Sequence, residues 1–373
     1  MANLLQSLFG GVVEAFDPRM LVMWAIGGVL IYLAIKKNME PSLLLPLGFG
    51  AILVNLPLSG AITQGDEVGA LSVLFDAGIG NELFPLLLFI GIGAMIDFAP
   101  LLSNPKLMIF GAAAQFGIFF TLCIASLLGF EAKDAASISV IGAADGPTSI
   151  FVSQYFESKY MAQIAVVAYS YMALVPIIQP PVIKLVTTKK ERLIRMEYAP
   201  KPVSKTTKIL FPIIITVIAG LASPKSVSLI GFLMFGNLIR ECGVLEALSE
   251  TAQKSLANLI TLLLGITIAT KMHYETFISL DTLKIILLGL VAFVFDTVGG
   301  VFVAKLFNIF SKKKINPMIG AAGISAFPMS ARIVNKLGLE EDNQNFLLMH
   351  AVGVNVSGQI ASVIAGGLIL SLF

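Results

Sequence analysis

The chain has 373 residues, of which 57% are hydrophobic and 13% charged, with a formal net charge of +2 and a mean hydropathy of +0.89. Soluble domains carry about 25% charged residues, so the composition is that of a polytopic membrane protein. It excludes a nucleic-acid partner, which would require a larger basic excess. It also excludes a histidine-rich metal centre, because His273 and His350 are the only histidines.

Residues 1–18 read as a short amphipathic lead-in with no signal-peptide order of basic, apolar and cleavage regions. Segments suited to spanning a bilayer follow near 20–36, 41–60, 83–97, 105–130 and 160–183. A second set lies near 207–222, 226–240, 255–270, 282–310 and 344–372. Two further segments are interrupted, 135–156 at Asp145-Gly146-Pro147 and 317–338 around Gly323 and Pro328. Cys123 and Cys242 are far apart, form no metal spacing, and read as buried small apolar residues.

The two halves resemble each other. Ile141-Gly142-Ala143-Ala144 recurs as Ile319-Gly320-Ala321-Ala322, and Gly48-Phe49 with Asn55 recurs as Gly231-Phe232 with Asn237. Runs ending at Gly91-Ile92 and Gly265-Ile266 also match, as do the segments opening at Asn104 and Asp281, all at offsets near 174–183. The expected organisation is a first membrane repeat over 1–183, a basic linker over 184–206 and a second repeat over 207–373.

Charge sets the orientation. Between Lys184 and Lys208 there are eight Lys or Arg and two acids, so this loop is expected in the cytoplasm, with Lys36-Lys37 and Lys312-Lys313-Lys314. Threading the spans under that rule makes 135–156 and 317–338 re-entrant. Each half then has five crossings and one broken hairpin, and the odd number inverts the halves. The predicted fold is therefore an all-α polytopic membrane protein of two inverted repeats. Transporters of that kind place their site where the broken elements meet.

Asp145 is the leading candidate site residue. A charge at membrane depth costs at least about 2.5–3.5 kcal/mol at a helix centre, and chains that bear that cost handle ions or protons. Asp-Gly-Pro is also good turn chemistry, but the apolar flanks and the following Thr148 and Ser149 favour a site. An ionised carboxyl, freed backbone carbonyls and hydroxyls are hard donors that suit Na⁺ or a proton. Thr148 and Ser149 can equally cap the helix after the break.

In the last segment Asn355, Gln359 and Ser362 share a helix face, with Ser357 between them, and this polar stripe fits either ion handling or interhelical hydrogen bonding. Tyr169 and Tyr171 are packing residues or proton relays. Arg332, beside Ser330, could hold a carboxylate bidentately or snorkel to the interface. Asp296 is a second candidate for ion or proton handling unless it pairs with a basic side chain. Glu82 and Asp97 read as interfacial. No Walker-type loop is present, so ATP is not expected to drive the protein.

At these residues the chain resembles the β subunits of sodium-pumping biotin-dependent decarboxylases, which act on oxaloacetate, methylmalonyl-CoA or glutaconyl-CoA. The resemblance rests on residues 142–151, on Ser325-Ala326-Phe327-Pro328-Met329-Ser330-Ala331-Arg332, and on Met349-His350-Ala351 through Ile360. It implies a subunit that decarboxylates carboxybiotin, consuming a proton, and couples this to Na⁺ export. Asp145 maps to the Na⁺ and proton ligand of the family. Asn355 and Ser362, and a Tyr that is best matched by Tyr171, are implicated with it, and Thr148, Ser149 and Ser357 complete the expected Na⁺ set. Arg332 and Ser330 are expected to meet carboxybiotin, which a partner supplies and which is not covalently bound here. The implied partners are a carboxyltransferase α subunit, a biotin carrier protein, a small membrane γ/δ subunit and further copies of this chain, in the bacterial inner membrane. The absence of the longer N-terminal region of oxaloacetate-type members points to the acyl-CoA types. The alternatives are a secondary Na⁺ transporter with no enzymatic role and a structural anchor, against which the deep polar residues argue.

Overall fold

The computed structural model describes residues 11, 13–197 and 201–373, so most of the amphipathic lead-in expected at 1–18 lies outside the described residues. Among the described residues the chain is helical, with a single β-bridge between Gln64 and Glu67. Five helices are long and apolar enough to cross a membrane, and up to seven spans result if each of two bent pairs is one span. The protein is a multi-pass membrane protein.

The first half begins with α1 (Pro18–Lys37), α2 (Pro41–Val54), α3 (Ala70–Gly78) and α4 (Leu83–Met95). After α5 (Pro105–Leu127) comes the first interrupted segment. It comprises α6 (Ala132–Ser139), a 3₁₀ turn at Val140–Ala143 and α7 (Gly146–Tyr155). Then α8 (Met161–Val186) is bent by 66° between Met161–Met172 and Leu174–Val186.

The second half contains α9 (Lys205–Ala222), α10 (Val227–Glu241), α11 (Glu246–Lys271) and α12 (Leu280–Phe310). The second interrupted segment is a 3₁₀ stretch at Pro317–Gly323 followed by α13 (Met329–Glu341). The chain closes on α14 (Leu348–Leu372). The expected span at 41–60 is shorter in the structure, because the α2 helix stops at Val54 and Asn55 turns its side chain to other partners.

Packing interleaves the two halves. One group joins α1, α2, α4, α9, α10 and α11, and the other joins α5–α8 with α12–α14. In the first group two asparagines serve as cross-links. Asn55 Nδ2 donates to Met272 O at 2.8 Å, and its Oδ1 accepts from Tyr274 N at 2.8 Å. Asn237 Nδ2 donates to Ile96 O at 2.9 Å. Each satisfies backbone groups freed at the end of a neighbouring helix, where lipid offers no partner.

In the second group α14 is central: 78% of its most apolar window is buried, against 28% for α1. A second close crossing sets α12 against the second break. Gly300 and Gly320 lie backbone to backbone, so a Cβ on either would fall on the carbonyl of the other. Such small-residue contacts let membrane helices approach closely.

The basic linker is tied to α13. Arg192 pairs with Glu341 at 2.6 Å and Arg195 with Asp342 at 2.5 Å, and the Arg195 guanidinium holds the Asp342 carboxyl below the usual carboxylate range. Asn316 and Asn345 donate to Arg192 O, which fixes the linker against the second interrupted segment. Cys123 is exposed and Cys242 is intermediate, which corrects the expectation that both are buried. Helical phase turns Cys123 outward on α5, away from the core-facing Thr121 and Ala125.

Gly320→Val should therefore destabilise the folded protein by about 1–3 kcal/mol through overpacking. The check is the melting temperature and monodispersity of the detergent-purified variant; an unchanged transition would show that this crossing does not hold α12 to the second break.

Candidate functional site

The first break is built by local backbone geometry. Ala144 takes the left-handed region at φ 52°, which ends the 3₁₀ turn, and Asp145 is extended at φ −126°. Pro147 then sits in the first turn of α7, where a missing N–H costs nothing. Asp145 is thus the N-cap residue of α7, the position sequence reasoning had offered to Thr148 and Ser149.

The Asp145 carboxyl is buried at 4% exposure. It accepts from Thr148 N at 3.2 Å, from Thr148 Oγ1 at 2.7 Å and from Ser362 Oγ at 2.9 Å. All three donors are neutral, so the group sits among hydroxyls in an apolar cluster that includes Ala143, Phe151, Ile324, Ile360 and Val363. Ser149 is close by but turned to backbone, donating to Asp145 O at 2.9 Å and to Val140 O at 3.3 Å.

The two breaks meet. Ser325, just after the second 3₁₀ stretch, gives both its N–H (3.1 Å) and its Oγ–H (2.6 Å) to Ala143 O in the first. Helix α14 passes both. Asn355 Nδ2 donates to Ile324 O at 2.7 Å, and Gln359 Nε2 donates to Ser325 O. Two turns on from Asn355, Ser362 reaches Asp145. The stripe 355–359–362 therefore lies along one face of α14, as its spacing predicts. Asn355 Oδ1 is buried and has no hydrogen-bond partner among the described residues.

Other candidates lie elsewhere. Ser357 falls off the stripe, because two residues turn a helix by roughly 200°. Its hydroxyl donates to Val354 O at 2.6 Å and Leu107 O at 3.1 Å, beside α5. Tyr171 donates to Ile286 O at 2.6 Å on α12. It is Tyr169 whose ring lies on Gly146, directly beside Asp145, with its hydroxyl buried and without a partner. Ser330 is fully buried and donates to Gln179 Oε1 at 3.0 Å and Ala321 O at 3.1 Å. Arg332, two residues on, is exposed and points away from it.

Two residues went unassigned in the sequence reading. Ser325 lies within the second motif of the resemblance, and Gln179 lies in the apolar segment 160–183. Gln179 Nε2 donates to Ala321 O at 2.8 Å, tying α8 to the second break. The signal available for both was position: each is a polar residue in an apolar stretch close to a helix interruption, where free carbonyls need donors.

On the face that carries Lys312-Lys313-Lys314, a cavity of about 480 Å³ opens beside the start of α14. Lys106, Lys201, Lys313, Lys314, His350 and Glu197 line it, with Glu197 paired to Lys313 at 2.9 Å. Its basic lining suits an anion.

The structure is thus that of a multi-pass membrane protein with a buried carboxyl, held by hydroxyls, at the junction of two interrupted helices. A family model described as "Na+-transporting oxaloacetate decarboxylase beta subunit" matches residues 19–373. Methylmalonyl-CoA decarboxylase subunit beta of Veillonella parvula is 48% identical, over 96% of this chain and 94% of its own. Glutaconyl-CoA decarboxylase subunit beta of Acidaminococcus fermentans is also 48% identical over the same shares. The oxaloacetate decarboxylase beta chain of Klebsiella pneumoniae is 43% identical, over 94% of each chain. The chain belongs to this family of Na⁺-transporting decarboxylase beta subunits.

A hydrogen bond to a charged group contributes about 1.5–3 kcal/mol. Ser362→Ala should then raise the Na⁺ concentration for half-maximal activity by roughly 10- to 100-fold, measured as Na⁺-activation of decarboxylation. Unaltered Na⁺ activation would remove Ser362 from the site.

Proposed function

We propose that this chain decarboxylates carboxybiotin presented by a partner carrier protein and couples that step to Na⁺ export, with consumption of a proton. The observation that carries the coupling is the Asp145 carboxyl, buried among neutral donors where the two breaks are tied together by Ser325. In a family of Na⁺-transporting decarboxylase subunits, this carboxyl is the group that can hold either ion.

With Asp145 ionised, Na⁺ is held by its carboxylate with the hydroxyls of Thr148 and Ser362. The free Oδ1 of Asn355 is a further oxygen donor on the same stripe, and Ser149 closes the turn beneath. Carboxybiotin binding opens the site outward, a proton replaces Na⁺, and the protonated carboxyl needs no cation. Tyr169, lying on the Asp145 turn, is the phenol placed to pass that proton onward, while Tyr171 supports α12 from the neighbouring face. Coupling requires carboxybiotin to bind the two states with different affinity.

Carboxybiotin approaches from the basic face. Arg332, which is exposed, is the group proposed to meet its carboxylate, Ser330 fixes the base of the same helix on Gln179, and the lysine-lined cavity offers an anion a second resting place. A carboxyltransferase α subunit, the biotin carrier, a small γ/δ membrane subunit and other copies of this chain complete the assembly in the bacterial inner membrane. Membership of the decarboxylase family favours this over a secondary Na⁺ transporter with no enzymatic role.

We further read 1–183 and 207–373 as inverted repeats joined by the 184–206 linker. The supporting observations are paired. Asn55 and Asn237 make equivalent cross-links, and each half has a 3₁₀ turn followed by a helix at its break.

Proteoliposomes holding the chain with its partners should accumulate Na⁺ when carboxybiotin is formed, and avidin should stop this. Asp145→Asn should abolish both uptake and Na⁺-dependent decarboxylation of free carboxybiotin. Full activity in that variant would remove Asp145 from the mechanism. Arg332→Ala should weaken carboxybiotin use, read as a higher concentration for half-maximal rate at unchanged Na⁺ activation. An unaltered carboxybiotin dependence would remove Arg332 from that role.

A further inference from the structure

Asp296 lies near the middle of α12, 16 residues from Leu280 and 14 from Phe310. At 1.5 Å per residue it is more than 20 Å from either end of the helix. It is fully buried, and neither carboxyl oxygen has a hydrogen-bond partner of normal geometry. The alternative reading, pairing with a basic side chain, is not met: Asp296 is in none of the ion pairs among the described residues. The stretches facing it, 113–121, 140–144 and 317–323, contain no Lys, Arg or His.

The carboxyl is wedged between two glycines. A Cβ at Gly117 on α5 would collide with Oδ1, and a Cβ at Gly142 would stand 2.9 Å from Oδ2. Gly142 belongs to the 3₁₀ turn that leads, three residues later, to Asp145. The donors that face the group are the backbone N–H groups of Gly117 and Ile118, just after α5 is interrupted at Gln115. Helices α6 and α8 also pack on α12, and their titratable groups are Lys133 and Asp134 on α6 and Tyr169, Tyr171 and Lys184 on α8. Tyr171 of α8 is engaged with Ile286, and Asp134 of α6 is bonded to Ser158.

An unpaired carboxylate in this setting is not a stable resting state; it must hold a proton or a cation. The facing N–H groups repel a cation and donate toward the carbonyl oxygen of a neutral acid, and they lower the cost of the transient anion once a proton leaves. We propose that Asp296 is a second proton-binding group of the membrane core, neutral in the arrangement described, whose ionisation is coupled through Gly142 to the turn that carries Asp145. On ionisation its O–H bond breaks, the proton passes to water admitted to the core, and the carboxylate remains on the N–H groups of Gly117 and Ile118. The coupling, though not the proton site itself, rests on the reading of Asp145 as the cation-exchanging group.

The test is infrared difference spectroscopy of the purified complex at neutral pH, in H₂O and D₂O. Asp296→Asn, which keeps the shape of the side chain, should remove one protonated-carboxyl C=O band that Asp145→Asn retains. Saturating Na⁺ should shift that band in the unaltered complex but not in Asp145→Asn. If Asp296→Asn removes no such band, Asp296 is ionised or merely structural, and the proposal falls. If the band is lost in that variant but ignores Na⁺ in the unaltered complex, the coupling falls and the proton site stands. A Na⁺ response that persists in Asp145→Asn counts instead against Asp145 as the exchanging group. Should Asp296→Asn fail to assemble, Asp296→Glu keeps the acid and should displace the band; a band that stays in place in the assembled Glu variant overturns the assignment.

Discussion

A carboxyl group inside a lipid layer needs a donor, a proton or a cation, and the arrangement around Asp145 answers that need with two hydroxyls and one backbone N–H, all neutral. Thr148 supplies one from within its own turn, and Ser362 supplies the other from α14, 217 residues away. Because no cationic side chain is in the set, the carboxyl is not committed to a permanent ion pair. It can exchange its counter-ion, which a salt-bridged acid cannot do without leaving a buried charge unpaired.

The same helix that satisfies Asp145 also satisfies the second break. Asn355 and Gln359 take the carbonyls of Ile324 and Ser325, and Ser325 in turn takes the carbonyl of Ala143. Interrupted helices release carbonyls that lipid cannot solvate, so they persist at membrane depth only where protein supplies donors. Here the donors lie on one stripe and join both breaks. A movement of α14 relative to either break must therefore be felt at the other, and the proposed function would use this tie to link events at the basic face to ion release.

Much of this was legible from residue order. The apolar runs marked helices, of which five among the described residues, or up to seven with the bent pairs, are long and apolar enough to span against the ten expected, and Gly and Pro marked the two interruptions. The i, i+4, i+7 spacing of Asn355, Gln359 and Ser362 placed them on a common face. What could not be read was which way each face turns. Ser357 shares the segment but looks toward Leu107. Tyr169 and Tyr171 differ by two residues, and only packing decides that Tyr169 meets Gly146 while Tyr171 meets α12. Ser325 and Gln179 stand out only as polar residues near interruptions, and the backbone carbonyls they bind are identified by the fold alone. Asp296 was legible as a buried acid; that it lacks a basic partner became visible only when the glycine-lined gap around it was placed.

The most direct test of the account is equilibrium binding of Na⁺ to the purified chain across a pH series. If one carboxyl holds either ion, Na⁺ affinity should fall about tenfold for each pH unit once protons compete, and Asp145→Asn should lose the binding altogether. Affinity that stays constant across the acidic range, or that survives in the Asn variant, would contradict the exchange of sodium for hydrogen ions at Asp145.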